Sequence, residues 1–193
     1  RQIVEAIGTQ VLTVAKHMEK CRDARGLNTE IQHQIVRTIR VFLEYNPAMG
    51  IIICVHRNYR QYLESMIEKY GLKQNDIKIT FGGDTRFASV KNGLALVENT
   101  NAVVGIHDAA RPFVSVQTIA NCFETAAQKG NAVPCVPVNE SMRKISNNVN
   151  HSVNRNEFKM VQTPQCFVAS KIKKAFESDY SPLFTDDATV LEA

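Results

Sequence analysis

Short apolar runs alternate with amphipathic helical patterns along most of this chain, and this alternation constrains the fold more than any other feature. The runs have the length of buried strands, and the apolar residues between them recur every three or four positions. Strands are predicted at residues 51–55, 77–81, 102–106 and 132–138. Helices are predicted at residues 31–43, 59–70, 87–97 and 118–129. This order indicates an α/β fold, in which helices cover both faces of a mostly parallel sheet.

Two segments depart from this alternation of strand and helix patterns. Residues 2–20 carry apolar side chains at helical spacing, so we predict an amphipathic helix there rather than a strand. Residues 139–158 are polar with little apolar periodicity, and they form either a disordered loop or an extended arm whose partners lie on another subunit. Ser115 is expected to cap the helix that follows it, and Gly130 to end that helix.

Length and charge limit the classes of function. A chain of 193 residues is long enough for one core, and we expect a single domain over residues 1–193. The formal net charge of +4 suits a small anionic substrate, whereas no run of Lys and Arg indicates nucleic-acid binding. No apolar stretch approaches the roughly 20 residues of a membrane span, and no signal peptide is evident.

The five cysteines are scattered, and none forms a Cys-x-x-Cys pair. Their odd number and spacing argue against a disulfide framework and against a zinc site. Cys54 and Cys135 lie within apolar runs and are expected to be buried. Buried, reduced thiols indicate a protein of the cytoplasm.

The predicted strand at 102–106 is followed by the sequence His-Asp-Ala-Ala-Arg-Pro. In open α/β sheets, ligands bind just beyond the carboxyl ends of the parallel strands. The Asp108 carboxylate there can ligate Mg²⁺, and the Arg111 guanidinium can bind a phosphate in bidentate fashion. The alternative is an ion pair between Asp108 and Arg111 that only stabilises the loop. His107 is expected to be structural rather than catalytic.

A second candidate segment is Gly-Gly-Asp-Thr-Arg, residues 82–86, which follows the predicted strand at 77–81. Glycines allow a ligand to approach the backbone, and amides at a helix start favour an anion or the polar edge of a base. The next helix is expected to begin near Ser89, which would cap that helix or donate to a ligand. A turn without any ligand is the alternative.

Three other places carry polar side chains of interest. Arg155 can hold a substrate phosphate, although a solvated arginine is the simpler interpretation. Pro164 restricts Thr163 to an extended conformation, which presents the Thr163 hydroxyl in a fixed direction. Thr185 is expected to cap a last helix whose first turn contains two acids, residues 186 and 187. These acids stabilise the helix start, and a cation-binding role for either remains open.

Taken together, these segments resemble the 2-C-methyl-D-erythritol 4-phosphate cytidylyltransferase family of isoprenoid biosynthesis. The resemblance covers residues from about 35 to 193, and the pieces follow the family's order at about its spacing. The matching pieces are Gly82-Gly83-Asp84-x-Arg86-x-x-Ser89-Val90-x-Asn92-Gly93-Leu94, His107-Asp108-Ala109-Ala110-Arg111-Pro112, Asn154-Arg155, Gln162-Thr163-Pro164-Gln165 and Thr185-Asp186-Asp187-Ala188.

The resemblance implies a Rossmann-like, three-layer domain with a protruding arm, about residues 138–159, that makes a homodimer. It implies transfer of CMP from CTP to 2-C-methyl-D-erythritol 4-phosphate with Mg²⁺ and release of pyrophosphate. The CTP-binding residues would be Gly82, Gly83, Asp84, Ser89 and Ala109. The acceptor-binding residues would be Asp108, Arg111, Ser141, Arg155 and Thr163. Asp108 would also bind the metal, and the residues expected to be catalytic are Asp108 and Arg155.

Two motifs of this family have no counterpart in the sequence. The family opens with a strand and a glycine-rich loop that binds the triphosphate. The segment 22–26 has neither the spacing of that loop nor a predicted strand before it. The family's late Asn-Ile-Lys segment is not found either. The missing loop supports one alternative to the expected function, a non-catalytic nucleotide-binding relative. A second alternative is a ribitol-5-phosphate cytidylyltransferase, because the choice of acceptor depends on the shape of the pocket.

Overall fold

A computed structural model of the chain describes residues 9–15, 22–23, 26–27 and 29–193, with side chains from residue 33 onward. The strands in these residues are β1 (Thr9–Ala15), β2 (Arg22–Asp23), β3 (Gly26–Leu27), β4 (Gly50–Val55), β5 (Ile77–Phe81), β6 (Val103–Asp108), β7 (Asn131–Ala132), β8 (Cys135–Pro137), β9 (Arg143–Ser146), β10 (Val149–Ser152), β11 (Lys159–Val161) and β12 (Gln165–Val168). The α-helices are α1 (Thr29–Tyr45), α2 (Arg60–Lys69), α3 (Arg86–Ala95), α4 (Val116–Lys129), α5 (Ala169–Ala175) and α6 (Asp187–Glu192). Short 3-10 helices cover Arg57–Tyr59 and Arg155–Glu157.

The main sheet of the described residues contains six strands in the order β5-β4-β1-β6-β12-β7. β5, β4, β1 and β6 pair in parallel, whereas β12 runs antiparallel to both β6 and β7. Parallel neighbours need a crossover connection, and α1, between β1 and β4, and α2, between β4 and β5, supply two of them. The predicted α/β class and the alternation of strands and helices are confirmed.

Buried side chains form two clusters, because alternate residues of a strand point to opposite faces of a sheet. Ile51, Ile53 and Val55 of β4 belong to a cluster with α1, α2 and α4. Ile52 and Cys54 belong to a second cluster with α3, α5 and α6. β4 is therefore covered on both sides, which explains why its sequence is a continuous apolar run rather than an alternating one.

Helix α4 shows how local sequence sets the ends of an element. The Ser115 side chain accepts a hydrogen bond from Thr118 N, and Gly130 ends the helix at φ 99°, a left-handed conformation that glycine adopts without strain. Both predicted caps are confirmed. Gly105 of β6 allows α4 to pack closely, because a Cβ atom there would lie 2.8 Å from Phe123 Cζ.

The prediction of a helix over residues 2–20 is wrong for residues 9–15, which form β1, and its remainder lies outside the described residues. β1 pairs with β4 on one side and with β6 on the other. Pairing on both edges favours an extended conformation over the helical pattern of the isolated segment. A strand therefore does precede residues 22–26, contrary to the sequence prediction.

The predicted strand at 132–138 is also wrong as one unit. β7 lies at the edge of the main sheet, while β8 pairs with β11 in a separate two-stranded ribbon. A hairpin of β9 and β10 extends this segment, and Asn147 and Asn148 adopt positive φ at its tip. The polar segment is thus a folded arm, residues 135–161. Cys135 lies in this arm and is exposed, so its predicted burial is wrong.

The other thiols that the structure describes, Cys54, Cys122 and Cys166, are free and buried. Among the described residues, no helix combines the length and the apolar character needed to cross a membrane.

Candidate active site

Asp108 and Arg111 form an ion pair at the carboxyl end of β6. Arg111 Nε donates to Asp108 Oδ2 at 2.9 Å, and the backbone N–H of Arg111 donates to the Asp108 carbonyl. Arg111 Nη1 also donates to Gln162 Oε1 at 2.6 Å. The Arg111 side chain is 46% exposed, so a substrate phosphate can compete for its guanidinium.

His107 is buried behind this pair and holds two parts of the site together. Its Nε2 lies 3.0 Å from the Arg111 carbonyl oxygen, and its Nδ1 lies 3.0 Å from Thr163 Oγ1. Burial lowers the pKa of His107 to about 4, so the ring is neutral near pH 7. Because the carbonyl can only accept, Nε2 carries the proton, and the Thr163 hydroxyl donates to Nδ1. The predicted structural role of His107 agrees with this geometry.

Thr163 meets Asp108 because β12 runs antiparallel beside β6. The register pairs Gln165 with Ile106, so the residues just before β12 lie at the carboxyl end of β6. The Asp108 backbone N–H donates to Thr163 Oγ1 at 3.4 Å, and the bond from Thr163 to Pro164 is cis. Two residues that are far apart in the sequence, and that were both expected in the site, are thus neighbours.

The segment at 82–89 forms a tight turn into α3. Ser89 is buried, and its Oγ accepts from Gly83 N at 3.0 Å and donates to Thr85 O at 2.9 Å. Thr85 caps the helix by accepting from Ala88 N, so the expected helix start near Ser89 is wrong. A Cβ atom on Gly83 would lie 2.5 Å from the Ala88 Cβ atom, which explains the glycine. Asp84 is exposed.

A second, more buried ion pair joins α3 to α6. Arg86 donates from Nη1 and Nη2 to both oxygens of Asp187, at 2.7 and 2.5 Å. The Asp187 side chain is 0% exposed and that of Arg86 is 29% exposed. Burial raises the pKa of the Asp187 carboxyl, and the guanidinium of Arg86 opposes this shift.

Helix α6 begins with Asp186 as its cap, not Thr185. Asp186 accepts from Thr189 N, and Thr189 Oγ1 accepts from Asp186 N, which is a capping box. Gln165 of β12 supports the same turn, because its Oε1 accepts from Asp187 N at 3.1 Å and its Nε2 donates to Asp186 Oδ2 at 2.9 Å. The two acids therefore have structural partners, as one of the sequence interpretations proposed.

These groups surround a cavity of about 300 Å³ at the carboxyl edge of the sheet. Its lining residues are Arg86, Asp108, Arg111, Val161, Gln162, Thr163, Gln165, Thr185 and Asp186. Of the predicted site residues, Asp108, Arg111 and Thr163 are brought together here. Those that do not line it are Gly82, Gly83, Asp84, Ser89, Ala109, Ser141 and Arg155.

Arg86 and Gln165 line the cavity although neither was predicted to have a role, and both occur in the motifs that match the family. The position of Arg86 directly after a glycine turn was the available signal.

Three predicted site residues have other surroundings. Ala109 is buried, and its carbonyl accepts from Thr38 Oγ1 at 3.0 Å. Ser141 and Arg155 are exposed on the arm, where Arg155 Nη1 donates to the Asn139 carbonyl.

Comparison with known proteins identifies the family of this site. A family model described as 2-C-methyl-D-erythritol 4-phosphate cytidylyltransferase matches residues 6–193. The chain belongs to this family. Cytidylyltransferases of this name from Bacteroides fragilis and Phocaeicola vulgatus are 44% and 40% identical to it, and each alignment covers 82% of this chain and 72% of the relative.

Solved structures of cytidylyltransferases support the fold. A synthase from Anaerococcus prevotii, 4-diphosphocytidyl-2C-methyl-D-erythritol synthase by name, superposes with a TM-score of 0.82 at 19% identity, covering 100% of this chain and 84% of that one. The 2-C-methyl-D-erythritol 4-phosphate cytidylyltransferase from Thermus thermophilus gives a TM-score of 0.66 at 24% identity, covering 94% and 82%. Members of this family are nucleotidyltransferases, so the resemblance found in the motifs is confirmed.

Proposed function

We propose that this chain transfers CMP from CTP to 2-C-methyl-D-erythritol 4-phosphate and releases pyrophosphate. The observation that carries the proposal is the cavity in which Asp108, Arg111 and Thr163 converge. It offers a guanidinium group for a phosphate, a carboxylate for a cation and a hydroxyl for a polyol. The names of the relatives support this acceptor over ribitol 5-phosphate, and family membership supports an enzyme over a non-catalytic relative.

In this reaction a phosphate oxygen of the acceptor attacks the α-phosphorus of CTP. A new P–O bond forms, and the bond to the β-phosphate breaks with pyrophosphate as the leaving group. Because the reactants carry several negative charges, catalysis depends on positioning and on charge neutralisation rather than on a covalent nucleophile. Arg111 supports this step, since its half-exposed guanidinium can exchange Asp108 for a phosphate.

We assign the cytosine and ribose of CTP to the turn before α3. Gly82, Gly83 and Asp84 form the turn, and Ser89 holds its shape through the hydrogen bond from Gly83 N. The Ala109 methyl group is buried, so we assign a backbone contact with CTP to this residue.

Thr163 would face the polyol of the acceptor. Its only hydroxyl proton is donated to His107, so its oxygen is left to accept a hydrogen bond from a hydroxyl group of the polyol.

Mg²⁺ is the cofactor that we assign to this site, with Asp108 as its protein ligand. In the part of the chain with described side chains, no cluster of three His, Cys, Asp or Glu residues can hold a metal. One carboxylate nevertheless fits Mg²⁺, which is commonly bound by one or two carboxylates together with substrate phosphates. When bound, the ion would neutralise negative charge on the triphosphate.

The arm supports a homodimer in which each site receives residues from both chains. Several apolar side chains of the arm are exposed: Val136, Ile145, Val149, Phe158, Met160 and Val161. Exposed apolar groups of this kind favour a protein interface. We assign Ser141 and Arg155 to the acceptor phosphate of the second subunit, because neither lines the cavity of its own chain.

Three broader assignments complete the proposal. The sheet with helices on both faces is taken as a Rossmann-like, three-layer domain that spans residues 1–193. The free thiols of the described side chains support a reducing compartment, so we assign the enzyme to the cytoplasm. CTP and a polyol phosphate are its small-molecule partners, with no role for nucleic acid.

Pyrophosphate release tests the function directly. The chain is incubated with CTP, Mg²⁺ and either 2-C-methyl-D-erythritol 4-phosphate or ribitol 5-phosphate. We expect turnover with the first acceptor and at least 10-fold lower kcat/KM with the second, because a polar pocket discriminates strongly between hydroxyl patterns. No turnover with either acceptor would contradict an enzyme, and a preference for ribitol 5-phosphate would assign the alternative activity.

A further inference from the structure

The ion pair between Arg86 and the fully buried Asp187 needs an explanation beyond stability. Removing a carboxylate and a guanidinium from water is costly, and apolar residues of similar size are often as stabilising at such a place. Both oxygens of Asp187 are occupied by Arg86, and the backbone N–H of Asp187 is held by Gln165. The guanidinium therefore has one fixed position at the wall of the cavity.

That position places Arg86 against the other side of the Asp108 carboxylate. Arg86 Nε lies 4.0 Å from Asp108 Oδ1, while Arg111 Nε lies 2.9 Å from Asp108 Oδ2. The two oxygens of Asp108 thus face two different arginines. Arg111 is exposed enough to turn toward a substrate, whereas Arg86 cannot follow because both of its terminal nitrogens are bound to Asp187.

We propose that Arg86 is a positioning residue for the transfer reaction, clamped by Asp187 so that Asp108 keeps its orientation when Arg111 binds substrate. This inference rests on the proposed function of the site. The charge of Asp187 largely cancels that of Arg86. The pair therefore fixes the position of the guanidinium without adding much net positive charge to the cavity. Only a guanidinium can bind both Asp187 oxygens and still direct Nε at Asp108; a lysine keeps the charge but loses this fork.

The test uses Arg86→Lys and Asp187→Asn in the full chain, with kcat and both KM values measured at saturating Mg²⁺. A displacement of about 1 Å at a reacting group can cost roughly 100-fold in rate. We expect kcat to fall about 10- to 100-fold, with the KM for CTP changed by less than about threefold. Because both substitutions break one clamp, the double variant should be no slower than the slower single variant.

Arg40→Lys is the control. Arg40 lies on the surface of α1, its Nη2 donates to the Tyr70 carbonyl, and neither residue lines the cavity. This variant should keep the wild-type kcat. A purely structural role would lower the melting temperature and affect kcat and the KM for CTP in parallel. That result, or kcat within twofold of wild type in folded Arg86→Lys, would overturn the inference. Inactivity of the wild type would instead contradict the proposed function.

Discussion

His107 and Asp108 are adjacent in β6 but meet opposite environments. The His107 ring is enclosed and stacks edge-on against Phe42, with ring centroids 5.0 Å apart. The Asp108 carboxylate points into the cavity between two arginines. Successive side chains of a strand alternate in direction. His107 therefore holds the site in place from the buried side, and Asp108 lines the cavity.

The buried His107 makes the stability of the protein depend on pH. Its folded-state pKa of about 4 lies below the unfolded value of 6.5, so the unfolded chain binds the proton first as the pH falls. The stabilisation is fully present above pH 6.5 and is lost between pH 6.5 and about pH 4. We expect this residue to account for about 3 kcal/mol of acid destabilisation, measured by urea unfolding across this range.

His107→Gln is the variant for this measurement, because it cannot titrate. Its unfolding free energy should be lower than that of the wild type at pH 7 but should change less between pH 6.5 and pH 4. His151→Gln, on the exposed surface of the arm, should keep the wild-type pH profile. An unchanged profile in His107→Gln would show that another group controls acid unfolding.

Helix caps are the clearest determinants at the scale of single elements. Ser115 Oγ accepts from Thr118 N at 3.1 Å at the start of α4. Ser115→Ala should lower the free energy of unfolding by about 1 kcal/mol, because an amide at the helix start loses its partner. Ser65→Ala within α2 is the control, since Ser65 Oγ only donates to the Tyr62 carbonyl of its own helix. A larger loss for Ser65→Ala would contradict this account.

For single elements, the sequence was most informative where the local residue pattern favours the same structure as the packing and pairing in the fold. β4, β5 and β6 were predicted from their apolar runs, and all three are paired strands of the main sheet. β1 was missed because its apolar spacing also fits a helix, and only pairing with β4 and β6 decides between the two. The arm was left open because a polar β-ribbon has no periodic core side.

In the site, too, the sequence reveals the residues that a local pattern marks and misses those that depend on distant contacts. Asp108, Arg111 and Thr163 were found because strand ends and motifs mark them in the sequence. The role of Arg86 was missed because it depends on Asp187, 101 residues later in the chain. No local pattern encodes which of the two acids at the start of α6 is buried and which caps the helix.

At the scale of the whole molecule, the proposed homodimer would place Asp108 of one chain and Arg155 of the other in the same site. Asp108→Asn and Arg155→Ala should each be inactive or weak alone, because one loses the metal ligand and the other the phosphate contact. When the two variants are mixed and allowed to exchange subunits, half of the dimers carry one intact site. We expect about a quarter of the wild-type activity to return, measured by pyrophosphate release.

Two outcomes would contradict this arrangement. If mixing restores no activity although light scattering shows dimers and native mass spectrometry shows that they exchange subunits, Arg155 serves its own chain. If the wild type is a monomer, the proposed homodimer is wrong. The acceptor KM of Arg155→Ala should rise far more than its KM for CTP, and an equal rise would argue against a phosphate contact.

The antiparallel placement of β12 also has a consequence for synthesis. During translation β6 is made some sixty residues before the strand that covers its free edge. Until then its backbone amides and carbonyls remain open to pairing with other chains. The same event that closes this edge brings Thr163 to Asp108 and Gln165 to the wall of the cavity. One step of folding therefore protects this edge and supplies part of the cavity wall, which Thr185 and Asp186 from the later part of the chain complete.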